Sequence, residues 1–173
     1  MKFIPHFILI LFLTACVSQD VEIDFDQKPA AKARVELALG YLSQQDWEQA
    51  KQNLDKALSY APDYYLVHSA FAYFYQQQGN ITQARESYLK AIKLDDKQGD
   101  VHNNYGTFLC SQGEFQAAYQ QFDLAVASPN YYRQADSYEN KALCALSENN
   151  QAVYQQSKIA LEKADPERAK KLR

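Results

Sequence analysis

The chain has 173 residues, of which 47% are hydrophobic and 23% charged. These values exclude a disordered chain and a polytopic membrane protein. Eighteen Lys and Arg against 21 Asp and Glu leave a charge of −3. The basic excess that phosphate contacts need is missing, so nucleic acid is not an expected partner. Five Gly and five Pro are too few for an all-β fold dense in tight turns.

Residues 1–15 read as a targeting segment. Lys2 is followed by an apolar run from Phe7 to Leu13, too short for the roughly 20 residues that span a bilayer. Small residues close the run at Leu13-Thr14-Ala15-Cys16, as in a secretory signal. This site resembles the bacterial lipobox. The resemblance implies cleavage before Cys16 and lipidation of that cysteine, which anchors the mature chain to a membrane. Val17 stands where lipoproteins retained in the inner membrane carry Asp, so the resemblance implies the outer membrane, with the body on the periplasmic side. Residues 16–30 hold Asp20, Glu22, Asp24, Asp26 and Pro29 without a helical period. They are expected to form a tether.

From residue 31 a 34-residue period organises the chain. Ala50 and Ala57 recur as Ala84 and Ala91, then as Ala118 and Ala125. Gly79 and Gly113 share one position with Gln45, and Trp47, Ile81 and Phe115 share another. The pattern resembles the tetratricopeptide repeat, a helix–turn–helix unit of this length. It predicts an all-α solenoid of four repeats at 31–64, 65–98, 99–132 and 135–168. Small positions let paired helices approach, while large ones such as Leu54 and Tyr88 fill the space between them. No repeat can bury its apolar face alone, so neighbours must stack. The fourth repeat starts two residues late and replaces the two small alanines by Tyr154 and Leu161. Residues 169–173 read as a charged, solvent-facing end.

Nothing in the pattern points to catalysis. His68 and His102 occupy one repeat position and read as half-buried structural residues. His102 and Cys110 lie eight residues apart, about 12 Å along one helix, too far to share a zinc ion. There is no phosphate-cradling loop and no defensible nucleophile–base set. The chain reads as a non-enzyme with no cofactor, no metal and no small-molecule substrate. Cys110 and Cys144 fall on first helices of adjacent repeats. An oxidising compartment favours their pairing; unpaired, they would act as small apolar residues.

The first helix of each repeat is expected to line a concave groove. Leu39, Leu42, Tyr64, Leu66 and Tyr73 make its N-terminal half apolar and aromatic. Asp100, Asn103 and Thr107 make the later part polar. The positions that grip a terminal carboxylate in chaperone-binding repeats hold Val35, Leu39, Ala70, Asp100 and Asn104, with no cation. The expected ligand is therefore an apolar or amphipathic protein segment.

A more specific resemblance lies in Gly99-Asp100-Val101-His102-Asn103-Asn104-Tyr105-Gly106-Thr107-Phe108-Leu109-Cys110 and in Tyr138-Glu139-Asn140, followed by Cys144. With Pro129, Tyr131 and the opening Ala33, Gly40-Tyr41-Leu42, these stretches resemble the PilW/PilF family of type IV pilus biogenesis lipoproteins. The likeness covers residues 30–166 and the lipobox. It implies a disulfide between Cys110 and Cys144, and a pilotin role in which the protein helps the type IV pilus secretin reach or assemble in the outer membrane. Many members carry about six repeats, and this chain shows four. Lys141 and Ala142 replace the family's Leu-Gly, which predicts looser packing there. A general periplasmic scaffold, serving outer-membrane protein assembly or cell-wall enzymes, is the alternative reading.

Overall fold

The structure, a computed structural model, describes residues 26–172. The targeting segment, Cys16, the first part of the tether and Arg173 lie outside the described residues. Four antiparallel helix pairs follow one another: α1 (Lys28–Ser43) with α2 (Trp47–Tyr60), α3 (Tyr65–Gln77) with α4 (Ile81–Leu94), α5 (Gly99–Ser111) with α6 (Phe115–Ala127), and α7 (Gln134–Ser147) with α8 (Gln151–Ala164). A short α9 (Pro166–Ala169) closes the array. No strand occurs among the described residues, and the all-α expectation is met.

The turns inside the pairs share one design. Gln45, Gly79, Gly113 and Asn149 take positive φ of 60°, 73°, 77° and 61°, the left-handed conformation that ends a helix and reverses the chain. One residue later Asp46, Asn80 and Asn150 cap α2, α4 and α8. Their side chains accept from the backbone N–H of Gln49, Gln83 and Val153 at 3.1, 3.3 and 3.2 Å. Each cap satisfies a helix-end donor that would otherwise be orphaned.

The repeat alanines Ala50, Ala57, Ala84, Ala91, Ala118 and Ala125 are fully buried. In the fourth pair the sizes are exchanged. Tyr154 and Leu161 are buried where alanine stood, and fully buried Ala145 stands where α5 carries Leu109. Beside it the Lys141 ammonium lies 2.6 Å from Asp123 and 5.8 Å from the centre of the Tyr119 ring. His68 and His102 donate through Nε2 to the carbonyls of Pro62 and Asp96, at 2.7 and 2.8 Å. His102 Nδ1 also lies 2.8 Å from Gln121 Oε1, and Arg34 donates to Asn53 at 3.2 Å from the same repeat position. His102 is buried rather than half-buried. These side chains tie each first helix to the preceding turn or to its own second helix.

Both ends differ from the expectation. The first helix begins at Lys28, inside the segment read as tether. Pro29 falls at its first turn, where its missing N–H costs nothing, and the Lys28 N–H donates to Asp26 at 3.0 Å. At the other end Ala169 and Leu172 are 3% and 6% exposed. They cover the fourth pair, so the segment read as solvent-facing is partly core.

The core forms two clusters. One contains Ala31, Val35, Leu54, Val67, Phe71 and Phe74; the other runs from Ala72 and Tyr88 to Leu172. They meet at α3, where Tyr75 packs against both.

Candidate partner-binding groove

Residues of α1, α3, α5, α7 and α9 enclose a groove of about 570 Å³. At its apolar end Val35, Leu39, Leu66, Ala70 and Tyr73 line it, with Leu39 and Tyr73 still 39% and 40% exposed. Asn103 and Thr107 line the middle. Thr107 donates its hydroxyl to the Asn103 carbonyl at 3.1 Å. Of the residues expected in the groove, Leu42, Tyr64 and Asp100 are not among its lining; Asp100 instead pairs with Arg133 at its edge. Leu42 is 6% exposed and packs into the N-terminal cluster. Its position borders the groove and core faces of the helix, and an apolar side chain turns inward where Gln76, one repeat later, stays in the groove. Tyr64 is half-buried, edge-on to Tyr65 at 5.2 Å, and packs on the same cluster.

The polar end holds two cations, one between the third and fourth repeats and one at the last position of the fourth. Arg133 precedes α7 and Arg168 comes from α9; both line the groove with Asp136 and Asn140. Arg168 bonds Asp136 at 2.5 Å and also pairs with Glu139. Arg133 bonds Asp136 at 2.6 Å and Asp100 at 3.3 Å. Burial alone would raise the Asp136 carboxyl, but the hydrogen bonds and charges of Arg168 and Arg133 hold it below its ordinary value. Deeper in, Asn103 Oδ1 accepts from Ser137 at 2.9 Å and from Asn140 at 3.1 Å. Ser137 is fully buried and lies 3.0 Å from the Tyr131 hydroxyl.

Sequence reasoning missed this end. Asn140 was findable, because a shift of two residues aligns the fourth repeat with the third and gives it the position of Asn104, which also lines the groove. Arg168 was findable as well, since it ends the fourth repeat in the position of Tyr64; Arg133 carried no such signal, since it lies between the third and fourth repeats.

Cys110 and Cys144 form a disulfide with Cα atoms 5.8 Å apart. It joins α5 to α7, two of the helices that line the groove. Among the described residues no three His, Cys, Asp or Glu side chains cluster as a metal site.

The tetratricopeptide repeat profile matches residues 41–103. An uncharacterised protein of Haemophilus influenzae is 56% identical over 158 residues, covering 91% of this chain and 88% of that protein. The type IV pilus assembly protein PilF of Pseudomonas aeruginosa is 35% identical over 144 residues, covering 81% of this chain and 57% of PilF. A solved structure of PilF superimposes with a TM-score of 0.75 at 31% identity, over 81% of this chain and 63% of that one. The structure of PilW, a type IV pilus biogenesis factor, gives 0.72 at 26% identity, over 79% and 63%. The chain thus spans less than two thirds of these pilus proteins. With its Haemophilus relative it belongs to a family of tetratricopeptide-repeat proteins similar to PilF and PilW.

Proposed function

We propose that this protein is an outer-membrane lipoprotein, anchored through Cys16, that acts as a pilotin for the type IV pilus secretin. The observation that carries this reading is the groove, which is lined by half-exposed Leu39 and Tyr73 on a scaffold similar to PilF and PilW. Partly exposed aromatic and aliphatic side chains in a concave surface suit a protein ligand. The lipobox-like Leu13-Thr14-Ala15-Cys16 supports the anchor. Residues 16–27, before the first helix, would span roughly 40 Å if extended, enough to hold the array clear of the membrane.

The test is deletion of the gene, followed by a count of secretin multimers in outer-membrane fractions. Loss of multimers, restored by the wild-type gene, is the expected result; unchanged multimers sink the pilotin reading. A Cys16→Ser variant grown with labelled fatty acid should carry no label, and retained label removes the anchor assignment.

A further inference from the structure

The outer face of α1 is uncovered among the described residues. Leu37 lies two residues from groove-lining Leu39, about 200° round the helix, and so faces away from the groove. Ala33, Leu37, Gly40 and Tyr41 border an open cleft of about 570 Å³ on that side, and Leu37 is 49% exposed. One repeat later the first three positions hold Val67, Phe71 and Phe74; two repeats later they hold Val101, Tyr105 and Phe108. All six are buried. The second helix of the preceding pair covers them. The Trp47 ring of α2 lies 6.5 Å from Phe74, and the Lys51 ammonium 5.7 Å from the centre of Phe71. The Tyr88 ring of α4 lies 5.4 and 5.5 Å from Tyr105 and Phe108.

The chain supplies this cover by one route. α2 and α4 each end four residues before the helix they cover, and run back along it after the turn at 61–64 or 95–98. The far end of the array is closed by its own chain as well. Ala169 and Leu172 are buried there, and Lys158 donates to the Leu172 carbonyl at 3.1 Å. The same route before α1 passes through residues 17–25, which lie outside the described residues.

Those residues have the composition of a cover. Val21, Ile23 and Phe25 alternate with Asp20, Glu22 and Asp24, the pattern of an extended segment with one apolar face. Alternate residues of such a segment stand about 6.6 Å apart. Ala33, Leu37 and Tyr41 follow one another at about 6 Å along α1. Bulky side chains from the segment would fill the space left where Ala33, Leu37 and Gly40 replace a valine and two phenylalanines. The charges agree: α1 carries Lys28, Lys32 and Arg34 before its first acid, Glu36, beside a segment whose other face is acidic.

We propose that residues 21–25 fold back along the outer face of α1, antiparallel to it, with Phe25, Ile23 and Val21 over Ala33, Leu37 and Tyr41. The segment then caps the first repeat as α9 caps the last. It leaves residues 16–20, about 16 Å when extended, as the free reach of the anchor at Cys16; this consequence alone rests on the lipoprotein reading.

The test uses the full-length protein, purified in detergent with its disulfide intact and labelled on Leu and Ile methyls and Phe rings. Nuclear Overhauser contacts should join the Leu37 methyls to Ile23 or Phe25, and should arise within one chain in an equal mixture of labelled and unlabelled protein. Ile23→Asp/Phe25→Asp lies before the first helix and leaves the array intact. It should move the Leu37 methyls to solvent-exposed shifts and lower the melting temperature by about 2–4 °C. Contacts that cross between chains assign the face to a second copy and overturn the proposal. So does a Leu37 methyl that meets only detergent, or one that changes only when secretin is added. An unchanged melting temperature in the double variant overturns it too. None of these readings depends on the pilotin role, so the two stand or fall separately.

Discussion

Removing the Cys110–Cys144 disulfide should cost the array a large share of its stability. The bond closes a loop with a sequence separation of 34. In the chain-entropy account, confining a loop of that length in the unfolded chain is worth about 4 kcal/mol. For a domain of this size each kcal/mol moves the melting temperature by about 2–4 °C, so the expected drop is about 8–16 °C. The assay compares three samples by circular dichroism in urea and on heating: oxidised wild type, wild type under reductant, and a Cys110→Ala/Cys144→Ala double variant. Reduced wild type and double variant should coincide, because alanine keeps the buried site apolar and both free the same loop. Both should retain the native helical signal at low temperature, since the helix pairs bury their alanine interfaces without help from the bond. A loss under 1 kcal/mol in both samples refutes the reasoning and places α5 and α7 together already in the unfolded chain.

Tyr73 has 40% of its surface free, which for an aromatic side chain is about 80 Å², or about 2 kcal/mol at 25 cal/mol per Å². Tyr73→Ala should therefore weaken secretin capture about thirtyfold, as read by a pull-down titration; a larger loss from Thr107→Ala would move recognition to the polar end. Gly40 and Gly106 both lie inside helices, but a Cβ on Gly40 meets nothing within 4 Å, while one on Gly106 meets buried Phe122 at 2.8 and 2.9 Å. Gly40→Ala should stabilise by about 1 kcal/mol and Gly106→Ala should destabilise by about 1–3 kcal/mol; urea midpoints of opposite sign are the check. The folded-state pKa of Asp136 is lowered by its arginines, so its contribution is complete above the unfolded carboxylate value near 3.9 and fades as pH falls below it. Melting temperatures between pH 2 and 6 should fall less steeply toward acid for Asp136→Asn than for wild type.

The 34-residue period made the helix pairs legible because it records packing: alanine recurs where two helices touch, and the turn residue recurs where the chain must enter the left-handed region. Gln45 and Asn149 show the limit of that signal, since neither is glycine and yet both take the turn. Pro29 was misread because proline marks a helix start as readily as a linker, and only the Lys28–Asp26 contact separates the two. Leu39, Leu66 and Tyr73 were legible as groove residues because their position in the repeat fixes their direction. The Arg133–Asp136–Arg168 cluster was not, because it turns on Arg133, which lies in a linker that no period places. Asn103 could be assigned to the groove from its position, but the bonds its oxygen accepts from Ser137 and Asn140, one repeat away, could not.

The division of the core at α3 has a mechanical meaning. A solenoid bends where successive layers share least, and Ala72 faces one cluster while Phe71 and Phe74 face the other. The disulfide lies wholly on the C-terminal side of that seam, so the array has a stapled half and a compliant half joined through a single helix. The groove crosses the joint, with Leu39 on one side and Asn103 on the other. A ligand lying along it acts as a splint: it fixes the curvature between the halves and loses some of its binding energy to that restraint. Slower amide exchange in α1 to α3 on binding, with little change in α5 to α7, is the trace that such a splint would leave.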